Sequence, residues 1–171
     1  IGDKGLFELL EDAQYINNVK GLGFTLIKEI ISCSVTTKAK IVASDEKEMG
    51  LRAILNYGHT FGHVIETLCG YGNYLHGEAV AIGMISVGEL SLLRDNWQKT
   101  DCFRQRELIT KAGLPTKWPK LSQENVFRTL EGDKKVKEGK IRFVIPTGIG
   151  NVKIFNDVTK EQIRECLSRL N

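Results

Sequence analysis

The stretch "SDEKEMGLRAILNYGHTFGHVIETL", residues 44–68, decides how the chain is read, because it combines a capping signal, an apolar face and two of only three histidines. Asp45 with Glu48 three residues on matches a capping box, which predicts one helix from about Glu46 to Leu68. At about 100° per residue with Arg52 at zero, Asn56 falls near ~40°, His59 near ~340°, His63 near ~20° and Glu66 near ~320°. These polar side chains share an arc of roughly 80°, while Leu51, Ile54, Phe61, Val64, Ile65 and Leu68 occupy the opposite side. A solvated helix face is usually filled by Lys, Glu and Gln, so a stripe of Arg, Asn, two His and Glu asks for another cause.

Histidines at i and i+4 point the same way along a helix and can address one ion. The third, His76, follows in "YLHGEAVAIGM". A catalytic zinc takes three protein ligands and keeps one position open. Spacing alone therefore nominates His59, His63 and His76, with Glu66 or Glu78 as a carboxylate in reserve. Arg52 adds a planar donor fork suited to carboxylate or phosphate, and Asn56 adds an amide that can turn either way. Lys38, Lys40, Lys134 and Lys135 could bring further ammonium groups, although a solvated lysine is the default for each taken singly. The competing reading is an exposed polar face whose histidines are structural.

Outward from this stretch, helical periodicity recurs almost everywhere. "FTLIKEIISCSVTTKAKIVAS" predicts a long helix with an apolar stripe at Leu26, Ile30, Ile31 and Val35. "GEAVAIGMISVGELSLLRD" predicts a central helix, whose small residues Ala79, Ala81, Gly83 and Gly88 would let a neighbour approach closely. "TDCFRQRELITKAG" and "SQENVFRTLEGD" read as helices capped by Thr100 and Ser122, the first stopped by Gly113 and Pro115. "TKEQIRECLSRL" reads as a last helix, with Thr159 and Gln162 in capping-box positions. Only "KIRFVIPTGIGNVKIF" alternates with period two across a glycine turn, predicting a β-hairpin near residues 141–155. The expected fold class is mainly α, a multi-helical domain with one small hairpin, and residues 1–171 are expected to form one domain.

At 171 residues, 42% hydrophobic and 26% charged, the chain can bury a real core. A net charge of +3 with interleaved signs argues against nucleic acid as a partner. No run of eighteen apolar residues and no signal-peptide pattern occurs, so no membrane partner and a cytoplasmic location are expected. Cys33, Cys69, Cys102 and Cys166 are too widely spaced for a zinc ribbon and read as free thiols.

Four segments, "KAKIVASDEKEMGLRAILNYGHTFGHVIE", "GYGNYLHGEAVAIGM", "AGLP" and "DKKVKEGKIRFVIPTGIG", together resemble the C-terminal domain of 3-dehydroquinate synthase, in that family's order and spacing. The resemblance implies a lyase of the shikimate pathway, which makes aromatic amino acids. Such an enzyme converts the phosphorylated sugar acid 3-deoxy-D-arabino-heptulosonate 7-phosphate into 3-dehydroquinate and phosphate, using NAD and a divalent metal, commonly zinc, with cobalt as an alternative. It implies that His59 and His76 bind the metal, which corrects the spacing argument, while His63 serves substrate and proton traffic. Lys38, Arg52 and Asn56 match positions that bind the substrate's phosphate, carboxylate and hydroxyls, and Lys134 and Lys135 match a late lysine motif. Glu48 falls near the family's pocket, although its capping role is explanation enough.

The family's third metal ligand is a glutamate in an A-E-x-x-K segment, and its NAD is carried by an N-terminal Rossmann-like domain. Neither that segment nor a G-x-G-x-x-G loop occurs in the chain. The chain alone is accordingly expected to be inactive and to bind metal weakly; when full length it is expected to pair with its own N-terminal domain and to form a homodimer. Rival readings are another sugar-phosphate cyclase such as 2-deoxy-scyllo-inosose synthase, a metal-dependent alcohol dehydrogenase, or a non-catalytic helical interaction module.

Overall fold

A computed structural model of the chain describes residues 1–45, 50–70, 72–132 and 141–170. In order these form α1 (Lys4–Asp12), α2 (Phe24–Ser44), a 3-10 turn (Leu51–Asn56), α3 (His59–Cys69), α4 (His76–Leu93), α5 (Lys99–Lys111), α6 (Gln123–Gly132), β1 (Phe143–Gly148), β2 (Asn151–Phe155) and α7 (Lys160–Leu170), with a further 3-10 turn at Val19–Gly21. The mainly helical class with one hairpin is what the periodicities predicted. Among the described residues no helix is long and apolar enough to cross a membrane.

α4 is the axis of the fold. Its apolar and small residues run all round the helix, the pattern of a buried element rather than a surface one, and Ala79, Ala81, Ile82, Gly83, Ile85, Ser86, Val87, Gly88, Leu90 and Ser91 are all buried. α3, α5, α7 and β1 pack around it. The stripe of small residues has the expected use, since a Cβ on Gly88 would press within 3.1 Å of the Trp97 ring before α5. On the other side, Phe61 of α3 is fully buried and meets Trp118 edge-on at 5.6 Å and Phe143 at 5.4 Å, ring pairs worth roughly 0.5–1.5 kcal/mol each beyond burial alone.

The hairpin pairs β1 with β2 antiparallel, Phe143 opposite Phe155 and Ile145 opposite Lys153, with a register shift between Pro146 and Gly148. Pro146 has no N–H to give the ladder, but its carbonyl accepts a hydrogen bond from the Ser91 hydroxyl at 2.6 Å, which ties β1 to α4. Gly150 turns the hairpin at φ +84°. The caps at the C-terminal end match the sequence: Ser122 Oγ accepts from the Asn125 N–H, and Thr159 and Gln162 cap one another reciprocally at 3.1 and 3.2 Å. α5 starts earlier than expected, with Gln98 rather than Thr100 at the N-cap.

Two further expectations fail. The long helix of residues 46–68 is broken, because Gly58 stands at φ +77° in the left-handed region between the 3-10 turn and α3. Asp45 caps the 3-10 turn instead, accepting from the backbone N–H groups of Gly50 and Arg52, each at 2.8 Å; Glu48, its expected partner, lies outside the described residues. The apolar stripe of α2 does not form core either: Ile31 and Val35 are exposed, and Ile41 is the one buried residue of that helix.

Candidate metal and substrate site

Close approach of backbones sets this site. A Cβ on Gly83 would lie 2.0 Å from the Gly58 carbonyl oxygen, and one on Gly62 would lie 3.3 Å from the Ala79 carbonyl oxygen and the Val80 backbone. Gly58, besides needing its positive φ, has Val80 O and Met84 Cγ at 2.7 Å from where its Cβ would be. Glycines on both partners thus let the start of α3 lie directly against α4. His59 is the first residue of α3 and His76 the first of α4, so this contact brings two helix starts, and their imidazoles, together.

The His59 and His76 ring centroids are 5.2 Å apart at 63°. His63, one turn into α3, stands 5.8 Å from His59 at 88° and 6.3 Å from His76 at 33°. Each of the first two rings is anchored through Nδ1. His59 Nδ1 lies 3.1 Å from the Tyr57 carbonyl oxygen, and His76 Nδ1 lies 3.0 Å from Glu66 Oε1. A carbonyl or carboxylate oxygen can only accept, so Nδ1 carries the proton in both rings, and the lone pair of the neutral imidazole is then on Nε2. That is the state a metal ligand requires.

The donor set fits part of a zinc centre. Two imidazoles on one tetrahedral ion, with Zn–N of about 2.0–2.1 Å, put their ring centroids roughly 5 Å apart. Three protein donors are needed, however, and among the described residues no group of three His, Cys, Asp or Glu is arranged to hold an ion. The spacing argument's trio of His59, His63 and His76 is accordingly not such a group, although the three rings are neighbours.

The start of α4 is held firmly, since the Glu78 carboxylate accepts from the Leu75 N–H at 2.8 Å. Both carboxylates that the spacing offers as reserve ligands are thus engaged elsewhere, Glu66 on His76 and Glu78 on the backbone. Tyr57, whose carbonyl anchors His59, is itself fixed: its buried hydroxyl donates to the Gln105 amide oxygen, and burial pushes its pKa far above the usual phenol value. Periodicity gave no hint of this anchor, because a backbone carbonyl leaves no mark in residue type.

The cationic residues lie on other elements. Arg52 and Asn56 are half-buried in the 3-10 turn, and Lys38 is exposed on α2. Since the turn and α3 are separate, the stripe read on one continuous helix survives only for His59, His63 and Glu66. Lys40 lines a cleft of about 470 Å³ with Ser32, Thr36, Ile41 and Ile54. Lys134 and Lys135 lie outside the described residues.

The family model described as 3-dehydroquinate synthase C-terminal matches residues 1–136. A 3-dehydroquinate synthase of Prochlorococcus marinus (strain MIT 9313) is 63% identical over 171 residues, covering 100% of this chain and 46% of the relative. The protein of that name from Synechococcus sp. (strain CC9605) is 58% identical over 170 residues, again 46% of its length. The chain spans about half the length of the curated relatives it matches. Among solved structures, 2-epi-5-epi-valiolone synthase from Streptomyces hygroscopicus subsp. jinggangensis 5008, with NAD+ and Zn2+ bound, superposes with a TM-score of 0.86 at 25% identity, covering 99% of this chain and 47% of that one. A 2-deoxy-scyllo-inosose synthase complexed with carbaglucose-6-phosphate, NAD+ and Co2+ gives 0.75 at 24% identity, covering 98% and 52%, a likeness of fold.

Proposed function

The chain belongs to the 3-dehydroquinate synthase C-terminal family, and from that premise we propose that it is the metal- and substrate-binding domain of an enzyme converting 3-deoxy-D-arabino-heptulosonate 7-phosphate into 3-dehydroquinate and phosphate. A Rossmann-like N-terminal domain would complete it, carrying NAD and the third metal ligand, with residues 1–171 as one domain and the full-length enzyme working as a homodimer in the cytoplasm. The observation that carries this reading is the pair of imidazoles, His59 and His76, 5.2 Å apart and each anchored through Nδ1.

In this reading His59 and His76 hold the divalent ion through Nε2. When bound, the ion would polarise substrate hydroxyl oxygens and NAD would accept and return a hydride. His63, close to both rings but outside the pair, accepts and returns a proton as substrate hydroxyls ionise. Arg52 takes the substrate carboxylate or phosphate in its planar fork, Asn56 orients hydroxyls, and Lys38 with Lys134 or Lys135 neutralises the phosphate as it departs. Arg52 and the lysines suit a substrate bearing both carboxylate and phosphate, which favours the heptulosonate over a sugar phosphate without the acid group.

Metal analysis of the complete protein separates the roles. His59→Ala or His76→Ala loses the bound metal, whereas His63→Ala keeps it while kcat falls by roughly 10²- to 10⁴-fold. Metal retained in both His59→Ala and His76→Ala would overturn the assignment.

A further inference from the structure

We infer that Glu66 is a positioning residue for His76, fixing its ring orientation and tautomer for the metal; this rests on the metal reading above. Glu66 stands on α3 two turns beyond His59, on the same face as His59 and His63. Its carboxylate reaches across to α4, where Oε1 lies 3.0 Å from His76 Nδ1.

A surface ion pair joining two helices would also put a carboxylate against an imidazole, and three features distinguish the present contact. The Glu66 side chain is only 16% exposed while the His76 side chain is 58% exposed, so the carboxylate is held inward and the ring stands open on its other edge. The backbone under His76 is already fixed by the Glu78–Leu75 cap, which leaves ring rotation as the freedom that Glu66 removes. The same device is repeated on the companion ring, where the Tyr57 carbonyl takes His59 Nδ1. Two neighbouring imidazoles with the same nitrogen committed to an acceptor present their remaining nitrogens in a matched state. A metal-binding histidine commonly gives its second N–H to such a carboxylate, which raises its basicity and fixes its aim.

The test is Zn2+ titration of the metal-stripped complete protein against a competing chelator, with chemical unfolding of the metal-free form in parallel. Glu66→Ala is expected to weaken Zn2+ binding by roughly 10- to 100-fold. Glu66→Gln, which keeps the shape and an accepting oxygen, is expected to fall between that variant and the unaltered protein, and its metal-free unfolding midpoint is expected to stay unchanged. Unaltered Zn2+ affinity in Glu66→Ala and Glu66→Gln, beside a large loss in His76→Ala, would overturn the role of Glu66 and leave the metal site standing. Unaltered affinity in His76→Ala as well would overturn both.

Discussion

A methyl group added at Gly83 would sit 2.0 Å from the Gly58 carbonyl oxygen and 2.9 Å from its carbonyl carbon, with no flexible side chain available to move aside. Gly83→Ala must therefore push the start of α3 off α4, and the expected cost is about 3 kcal/mol or more, above the usual overpacking penalty because backbone is what gives way. Urea unfolding reads that loss directly; a change under 1 kcal/mol would show the two backbones to be less tightly opposed. At this scale the sequence was half legible. The small residues of "AVAIGMISVG" signalled a close neighbour, and the three histidines signalled a cluster, which the structure brings together as neighbouring rings. Gly58 was not legible, because a helical wheel assigns every residue the same rotation and cannot register one left-handed position. The Tyr57 anchor was invisible for a related reason, being made by a main-chain atom that every residue possesses.

Between elements, α1 is fastened to α5 by a charge pair whose dependence on pH can be worked out. Arg104 donates two hydrogen bonds to the Glu11 carboxylate, at 2.6 and 2.9 Å, and its guanidinium lies 5.4 Å from the centre of the Phe7 ring. The hydrogen bond from Arg104 holds the Glu11 pKa below its ordinary 4.5. A carboxyl with a depressed folded-state pKa adds stability above its unfolded value and loses it as pH falls through the folded one. The pair is partly exposed, so Glu11→Gln should cost at most about 1 kcal/mol near neutral pH. The difference from the unaltered protein should close as pH drops below the ordinary carboxylate range, and denaturant midpoints across pH will show it; a deficit that persists in acid would mean that packing rather than charge joins the helices. Element boundaries were read well where a side chain marked them, as at Ser122 and Thr159, and badly across residues 46–68. There a 3-10 turn and an α-helix in succession carry nearly the same apolar spacing as one long helix.

For the whole molecule, the central place of α4 was legible in its small residues, and the mainly helical class in the helical periodicity that recurs along the chain. The stripe on α2 shows the limit of such reading: Ile31 and Val35 keep helical spacing yet stay exposed, because periodicity identifies an apolar face without saying what covers it. The site is divided in the same way. Two imidazoles converge, while the proposed function leaves the third donor and the nucleotide to an N-terminal domain, and the chain spans about half the length of the curated relatives it matches. The most direct test is zinc-edge X-ray absorption on the complete metal-loaded protein, which counts imidazoles on the ion. Two are predicted, both in the unaltered protein and in His63→Ala; three that fall to two in His63→Ala would make His63 a ligand and contradict its separate role, and none at all would contradict the pairing of His59 with His76.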